Sequence, residues 1–336
     1  MLRKFPKSLS IDAVARGLFL VYLAESAFGS SGKLISFGPV SLRMLLFGLC
    51  FAASLPAVVR NLRHLAGNGQ VLTTVILGVY WLVCAGVGVF SGNALGLVWA
   101  DVSTMMALAL VPGFLAVMAG EGILNRAMDV MFWSAAALGA VSVVLHFAMA
   151  NVTEEGFDLV NDWINARSLG GLAYMASGIQ RIYFKSQIFL QVAIIYGVWK
   201  LGDPGTKKRL WIYAAMGVLF CAWVLSYTRG FWLGLVISAV LVLLLCPWQW
   251  KLYLKASGAM LAVFAVFLAL SSLVYSGPRV VYEILGRTDA SLLAEKDNVQ
   301  SKKDKTQSQK DKTQSQKDKA QSSKVEIDAD ADGDIT

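Results

Sequence analysis

Residues 71–90 read VLTTVILGVYWLVCAGVGVF, twenty positions with no charge among them. At about 1.5 Å of rise per residue, a helix of this length crosses the ~30 Å hydrocarbon layer of a bilayer. The run has no polar–apolar alternation, so it is not a strand of a porin-type barrel. Outward from it, Val102–Ala119, Val130–Ala150, Leu210–Tyr227, Phe231–Trp248 and Ala256–Tyr275 also lack Asp, Glu, Lys and Arg. Met44–Val59 qualifies with Leu42 and Arg43 at its mouth, and Tyr183–Trp199 with Lys185 snorkelling at one end. Ala13–Phe28 is the weakest, because it holds Arg16 and Glu25. Alone it has the look of a signal-peptide core, but eight spans follow, and a cationic start also suits a first helix.

Composition agrees. Of 336 residues, 56% are apolar and 15% charged, against about 25% charged in ordinary soluble domains. The tail from residue 296 holds nine Lys and nine Asp plus Glu, so the net charge of +8 belongs to the apolar part. Without the tail the chain is roughly 61% apolar, which excludes a soluble enzyme. The basic residues sit in short clusters between apolar runs and do not line one face, so no nucleic-acid partner is expected. Cys50, Cys84, Cys221 and Cys246 all fall inside apolar runs without CxxC spacing, so neither a disulfide framework nor a zinc site is implied. The expected fold class is therefore all-α: a polytopic transmembrane helix bundle of about nine spans in residues 1–290, in contact with membrane lipids. A low-complexity disordered tail follows in residues 291–336.

Charge fixes the expected orientation. With the N-terminus inside, twelve basic residues fall on the cytoplasmic side, from Arg3, Lys4 and Lys7 to Lys251 and Lys255. Six fall opposite: Lys33, Arg43, Arg167, Arg181, Lys185 and Arg229. This is the bias of the positive-inside rule, and nine spans then leave the tail outside.

The six opposite residues are the ones that topology does not call for. Residues 151–184 form the longest internal loop and carry Arg167 and Arg181, with Lys185 just beyond. An interfacial helix is expected around Phe157–Ile164, anchored by Trp163. Ser226-Tyr227-Thr228-Arg229-Gly230-Phe231-Trp232 joins two spans with almost no loop. Arg229 is the only charge between Arg209 and Lys251. An Arg at the hydrocarbon boundary is costly unless it snorkels or pairs. Its planar fork matches phosphate oxygens, whereas a plain membrane anchor beside Trp232 is the competing reading.

The segment Ser-Tyr-Thr-Arg-Gly-Phe-Trp-Leu-Gly (226–234) resembles the Ser/Thr-Arg-Gly-x-x-Leu-Gly segment of the O-antigen ligase and polymerase family. These are bacterial polytopic membrane glycosyltransferases. Gln180-Arg181-Ile182-Tyr183-Phe184 and Ser41-Leu42-Arg43-Met44 are similar to two other Arg-bearing helix entries of that family. The resemblance covers about residues 10–290, mostly as hydropathy pattern. It implies transfer or polymerisation of a polyprenyl-diphosphate-linked glycan onto a glycan or lipid acceptor, at the outer face of the bacterial plasma (inner) membrane. It implies neither cofactor nor metal. Arg229 and Arg181 would hold the diphosphate, with Arg43, Arg167 and Arg287 as additional candidates, and no catalytic residue is identified. Family members continue into a large outer loop with a functional His. Here only His64, in a basic loop, and His146, near the end of a span, are present. The chain thus reads as a truncated or divergent member, and an inactive relative is among the expectations.

The tail repeats Lys-Asp-Lys-Thr-Gln-Ser-Gln at 303–309 and 310–316. No position of the unit is apolar, so there is no coiled-coil seam and disorder is expected. Asp328, Asp330, Asp332, Gly333 and Asp334 resemble the opening of an EF-hand calcium loop without its closing acid. The rival expectations are a transporter or channel, which needs polar groups near the midplane, and a non-catalytic membrane scaffold. The charge bias yields a direct test. A reporter active only in the cytoplasm, fused after Tyr282, is expected to be silent; a strong signal would give the span count the opposite parity.

Overall fold

A computed structural model describes residues 11–281, apart from residues 31, 38–39, 119–121, 176–177, 208, 247–248, 276 and 278–279. The chain divides into two units, Met1–Pro278 and Arg279–Thr336. The expected disordered tail, the calcium-loop pattern at Asp328–Asp334 and Arg287 lie outside the described residues.

The first unit is mostly helical. In chain order it holds α1 (Ile11–Phe28), β1 (Ser36–Phe37), β2 (Val40–Ser41), α2 (Leu42–Arg60), α3 (Leu62–Ala66) and α4 (Gly69–Phe90). There follow α5 (Leu95–Met105), a 3₁₀ turn (Met106–Leu110), α6 (Val111–Met118), α7 (Ile123–Met149), α8 (Glu154–Ala166), β3 (Gly170–Tyr174) and β4 (Gln180–Phe184). A second 3₁₀ turn (Lys185–Gln187) leads into α9 (Ile188–Gly202), α10 (Arg209–Leu225), α11 (Arg229–Leu245) and α12 (Trp250–Val274). Of these, α2, α4, α7 and α12 are long and apolar enough to cross a membrane. The helices α10 and α11 are apolar but only 17 residues long.

Local chemistry sets the boundaries. Ser41 caps α2 by accepting from the Met44 amide at 3.2 Å. Asn68 caps α4 by accepting from Gln70 at 2.8 Å. Thr153 caps α8, whose first turn carries Glu154 and Glu155 at the positive end of the helix dipole. The expected single span over Val102–Ala119 is instead broken into α5, a 3₁₀ turn and α6. Pro112 explains the break: it has no N–H to donate to the Leu108 carbonyl four residues back.

The expected helix around Phe157–Ile164 is present as α8. The span expected from Tyr183 begins later, at Ile188, because β3 and β4 pair antiparallel, with Gly170 opposite Phe184 and Ala173 opposite Arg181. Gln180, Ile182 and Phe184 are buried while Arg181 and Tyr183 face away, the period-two pattern of a strand. Gly170 is required here, since a Cβ there would lie 1.9 Å from the Tyr183 carbonyl oxygen.

Ion pairs and hydrogen bonds define the two ends of the bundle. Arg60 at the end of α2 pairs with Asp12 at the start of α1, at 2.6 Å. Lys200 and Tyr196 near the end of α9 both bond Asp129 near the start of α7. Arg16 donates from α1 to the Val117 carbonyl near the end of α6, at 3.2 Å. The opposite end carries both hairpins and is called the hairpin end here.

At the centre, α10 packs against α7, α9 and α12. Small residues let the backbones approach. Gly139 of α7 lies against the Leu219 backbone of α10, and Gly217 of α10 lies against Val263 of α12. A second cluster, with Ala15, Phe19, Cys50, Leu110, Val117 and Ala127, joins α1, α2, the first 3₁₀ turn, α6 and α7. A Cβ at Gly217 would come within 2.5 Å of the β-branched Val263 side chain. Gly217→Ala is therefore expected to cost about 1–3 kcal/mol through overpacking, read as a lower thermal midpoint in detergent.

Candidate functional site

The hairpin end gathers the segments that the sequence keeps apart. Ser30, in a left-handed conformation with φ 55°, donates its hydroxyl to the Leu169 carbonyl and accepts from the Lys185 amide at 2.9 Å. This ties the end of α1 to both edges of the β3–β4 hairpin. Asn161 of α8 accepts from the Leu172 amide at 3.0 Å and fastens the amphipathic helix to β3.

From β4, successive side chains reach opposite ways. Gln180 donates to the Met149 carbonyl at 3.2 Å, and its Oε1 accepts from the Tyr275 hydroxyl at 2.5 Å. The Tyr275 hydroxyl also lies 2.8 Å from the His146 carbonyl oxygen, and His146 Nε2 is 3.1 Å from Ser271 Oγ. Thus α7, α12 and β4 share one buried polar network. His146 has no exposed surface and is packed against Phe147, Phe267 and Tyr275. It is a packed and hydrogen-bonded residue, which sets it apart from an accessible base.

Arg181 reaches the other way. Its Nε donates to the Ser226 carbonyl at 2.8 Å and an Nη donates to Thr228 Oγ1 at 3.1 Å. Its guanidinium carbon lies 5.1 Å from the Tyr183 ring centre. The Ser226 carbonyl belongs to the turn where α10 stops, and Tyr227 there has φ 47°. A carbonyl at such a stop needs a donor near hydrocarbon, and Arg181 supplies one. The two sequence-predicted arginines are thereby brought to one turn, since Arg229 directly follows Thr228.

Arg229 is exposed and opens α11. Thr228 makes no side-chain cap to this helix, because its hydroxyl is engaged with Arg181 and the Ser226 carbonyl. A cation at the positive end of a helix dipole is unfavourable by itself and becomes favourable beside an anion. A Cβ at Gly230 would meet nothing within 4 Å, so the first turn of α11 has open space beside it. Arg229 thus stands at a helix start that lacks a side-chain cap, with open space at Gly230 beside it.

The other candidates have different settings. Arg43 is 2.6 Å from Glu25, and its Nη2 lies 3.3 Å from the Glu25 carbonyl and 3.5 Å from that of Ser26. It is committed to joining α1 and α2. Arg167 ends α8 and stacks 4.5 Å from the Trp163 ring centre. The sequence reading missed Gln180 and Tyr275 as structural partners of the site. The alternation of residues 180–184 was the signal that marked Gln180. The chain matches no protein-family model, no curated protein and no solved structure.

Tyr275→Phe removes the single hydroxyl proton that lies between Gln180 Oε1 and the His146 carbonyl, and with it the hydrogen bond that joins these elements. A loss of about 1–3 kcal/mol is expected, seen as a lower unfolding midpoint, and an unchanged midpoint would dissolve the network.

Proposed function

We propose that the protein transfers a glycan from a polyprenyl-diphosphate carrier at the outer face of a bacterial plasma membrane, in the manner of an O-antigen ligase or polymerase. In this reading the nine spans are α1, α2, α4, the broken α5–α6 rod, α7, α9, α10, α11 and α12. The N-terminus is cytoplasmic and the hairpin end faces outward. The twelve-to-six split of basic residues supports that direction.

The single observation that carries the proposal is the pair of bonds from Arg181 to Ser226 and Thr228, one residue before Arg229. It makes the roles of the two arginines different. Arg181 spends two nitrogens holding the turn, so it is a positioning residue. Arg229, at the uncapped start of α11, is the ligand for the diphosphate. The acceptor hydroxyl attacks the anomeric carbon and passes its proton to solvent water. The bond from that carbon to the phosphate oxygen breaks, and the diphosphate leaves with the extra negative charge. A guanidinium fork stabilises that charge with bonds of about 1.5–3 kcal/mol.

The test is glycan transfer by variants present at equal level. Arg229→Lys keeps the charge but loses the fork, and transfer is expected to fall about tenfold or more. Arg181→Lys loses the bond to Ser226 and should lower both transfer and thermal midpoint. Arg229→Lys should lower transfer alone. Unchanged transfer in both variants would leave these residues as membrane anchors and favour a scaffold or transporter.

A further inference from the structure

We propose that the end of the bundle opposite the hairpins carries a seat for an anionic phospholipid headgroup, formed by the α9–α10 loop and the first turns of α10 and α12. This seat is independent of the reading of Arg229 and stands whether or not the protein transfers a glycan.

Three elements meet there. A Cβ at Gly202, at the end of α9, would lie 3.2 Å from the Leu252 side chain and 3.6 Å from Gln249 Oε1, so the loop begins beside the first turn of α12. Gly217 of α10 lies against Val263 of α12, and the Phe220 and Phe264 rings are 5.4 Å apart, so the two helices run side by side in one direction. Eight positions back along both, the same register brings Arg209 level with Lys255. The loop is held in shape by its own bonds. Thr206 Oγ1 donates to the Lys200 carbonyl at 2.8 Å, and Arg209 donates to that of Asp203 at 3.4 Å.

The charge of this surface is positive and is not cancelled locally. Lys207, Arg209, Lys251 and Lys255 are all exposed. Between Lys200 and Glu283 the sequence holds one acid, Asp203, and its carboxylate accepts from the Gly205 amide at 3.0 Å. Elsewhere at this end acids meet bases: Asp12 pairs with Arg60, and Asp129 with Lys200. Among the described residues no ion pair reaches the four exposed cations. Lys251 and Lys255 are four apart on α12, a spacing at which like charges repel, and an anion beside them relieves that repulsion.

Apolar surface adjoins the charge. Leu210, Trp211, Trp250 and Leu254 are each more than half exposed, and Lys251 Nζ lies 5.8 Å from the Trp250 ring centre. Exposed tryptophans beside basic residues mark the headgroup level of a bilayer. A phospholipid answers both features, with its phosphate on the cations and its chains on Leu210 and Leu254. A soluble polyanion would leave that apolar surface in water. A zwitterionic headgroup would bring a cation of its own to a surface that already has four, so the fitting lipid is anionic.

The experiment uses the full chain in a neutral detergent and two lipids with identical chains, phosphatidylglycerol and phosphatidylcholine, with bound lipid counted by native mass spectrometry. Wild-type protein should retain phosphatidylglycerol about tenfold better. Lys251→Gln with Lys255→Gln should bring this preference to within about twofold, whereas Lys251→Arg with Lys255→Arg should keep it. Arg63→Gln with Arg126→Gln removes the same charge from exposed residues of α3 and α7 and should leave the preference near that of wild type. No preference in wild type, a preference kept by the double glutamine variant of α12, or an equal loss from both glutamine pairs overturns the seat, the last by showing a diffuse attraction. Glycerol 3-phosphate, the soluble headgroup, should not displace the bound lipid. Displacement would assign the cations to a free phosphate and overturn the lipid as their partner.

Discussion

Near a hydrocarbon layer a carbonyl oxygen cannot be left to water, and the stop of α10 leaves one at Ser226. The Arg181 guanidinium accepts that obligation. Its second bond, to Thr228, removes the hydroxyl that would otherwise cap α11. One side chain thereby closes one helix and leaves the next one uncapped. The hairpin β3–β4 exists to deliver it: the register that sets Arg181 opposite Ala173 also turns Gln180 inward to Met149 and Tyr275. Through Ser30 the same hairpin is fixed to the end of α1. The hairpin end is thus held by chain segments more than a hundred residues apart in sequence.

The contrast between Arg43 and Arg229 shows how context separates two arginines that look alike in the sequence. Both stand at the start of an apolar helix. Arg43 finds Glu25 at 2.6 Å and two carbonyls, so its charge is spent inside the bundle. Arg229 lies exposed in the first turn of α11, against the helix dipole and beside open space at Gly230. The two side chains thus occupy different settings, one within the bundle and one exposed at the start of a helix.

The helices were legible because charge-free apolar runs leave few alternatives, and α2, α4, α7 and α12 lie where those runs lie. Two features were not. The run over Val102–Ala119 concealed a break, because hydropathy does not register that Pro112 lacks an N–H. The run from Tyr183 concealed a strand and a 3₁₀ turn. Ile182, Tyr183 and Phe184 are apolar whether they belong to a helix or a strand, and only the buried–exposed alternation with Gln180 and Arg181 separates the two. The pairing of Arg181 with the 226–228 turn was legible only as an electrostatic expectation. The atoms it bonds, a carbonyl and a hydroxyl 45 and 47 positions away, carry no charge and so leave no trace in a charge pattern.

The same distinction explains why the polar residues along α9 escaped the sequence reading. Gln187 and Gln191 are four apart and share a helix face, but in an apolar run they count only as small dips in hydropathy. Gln191 donates to Ser238 of α11 at 3.0 Å, and Ser238 donates onward to the Gly234 carbonyl, so a short polar seam is closed inside two apolar runs. The Gln191 amide lies 3.3 Å from where a Gly234 Cβ would stand, so the glycine leaves the room that the amide uses. Such a seam is specified by which residue stands opposite, and the hydropathy of one helix read alone does not contain that.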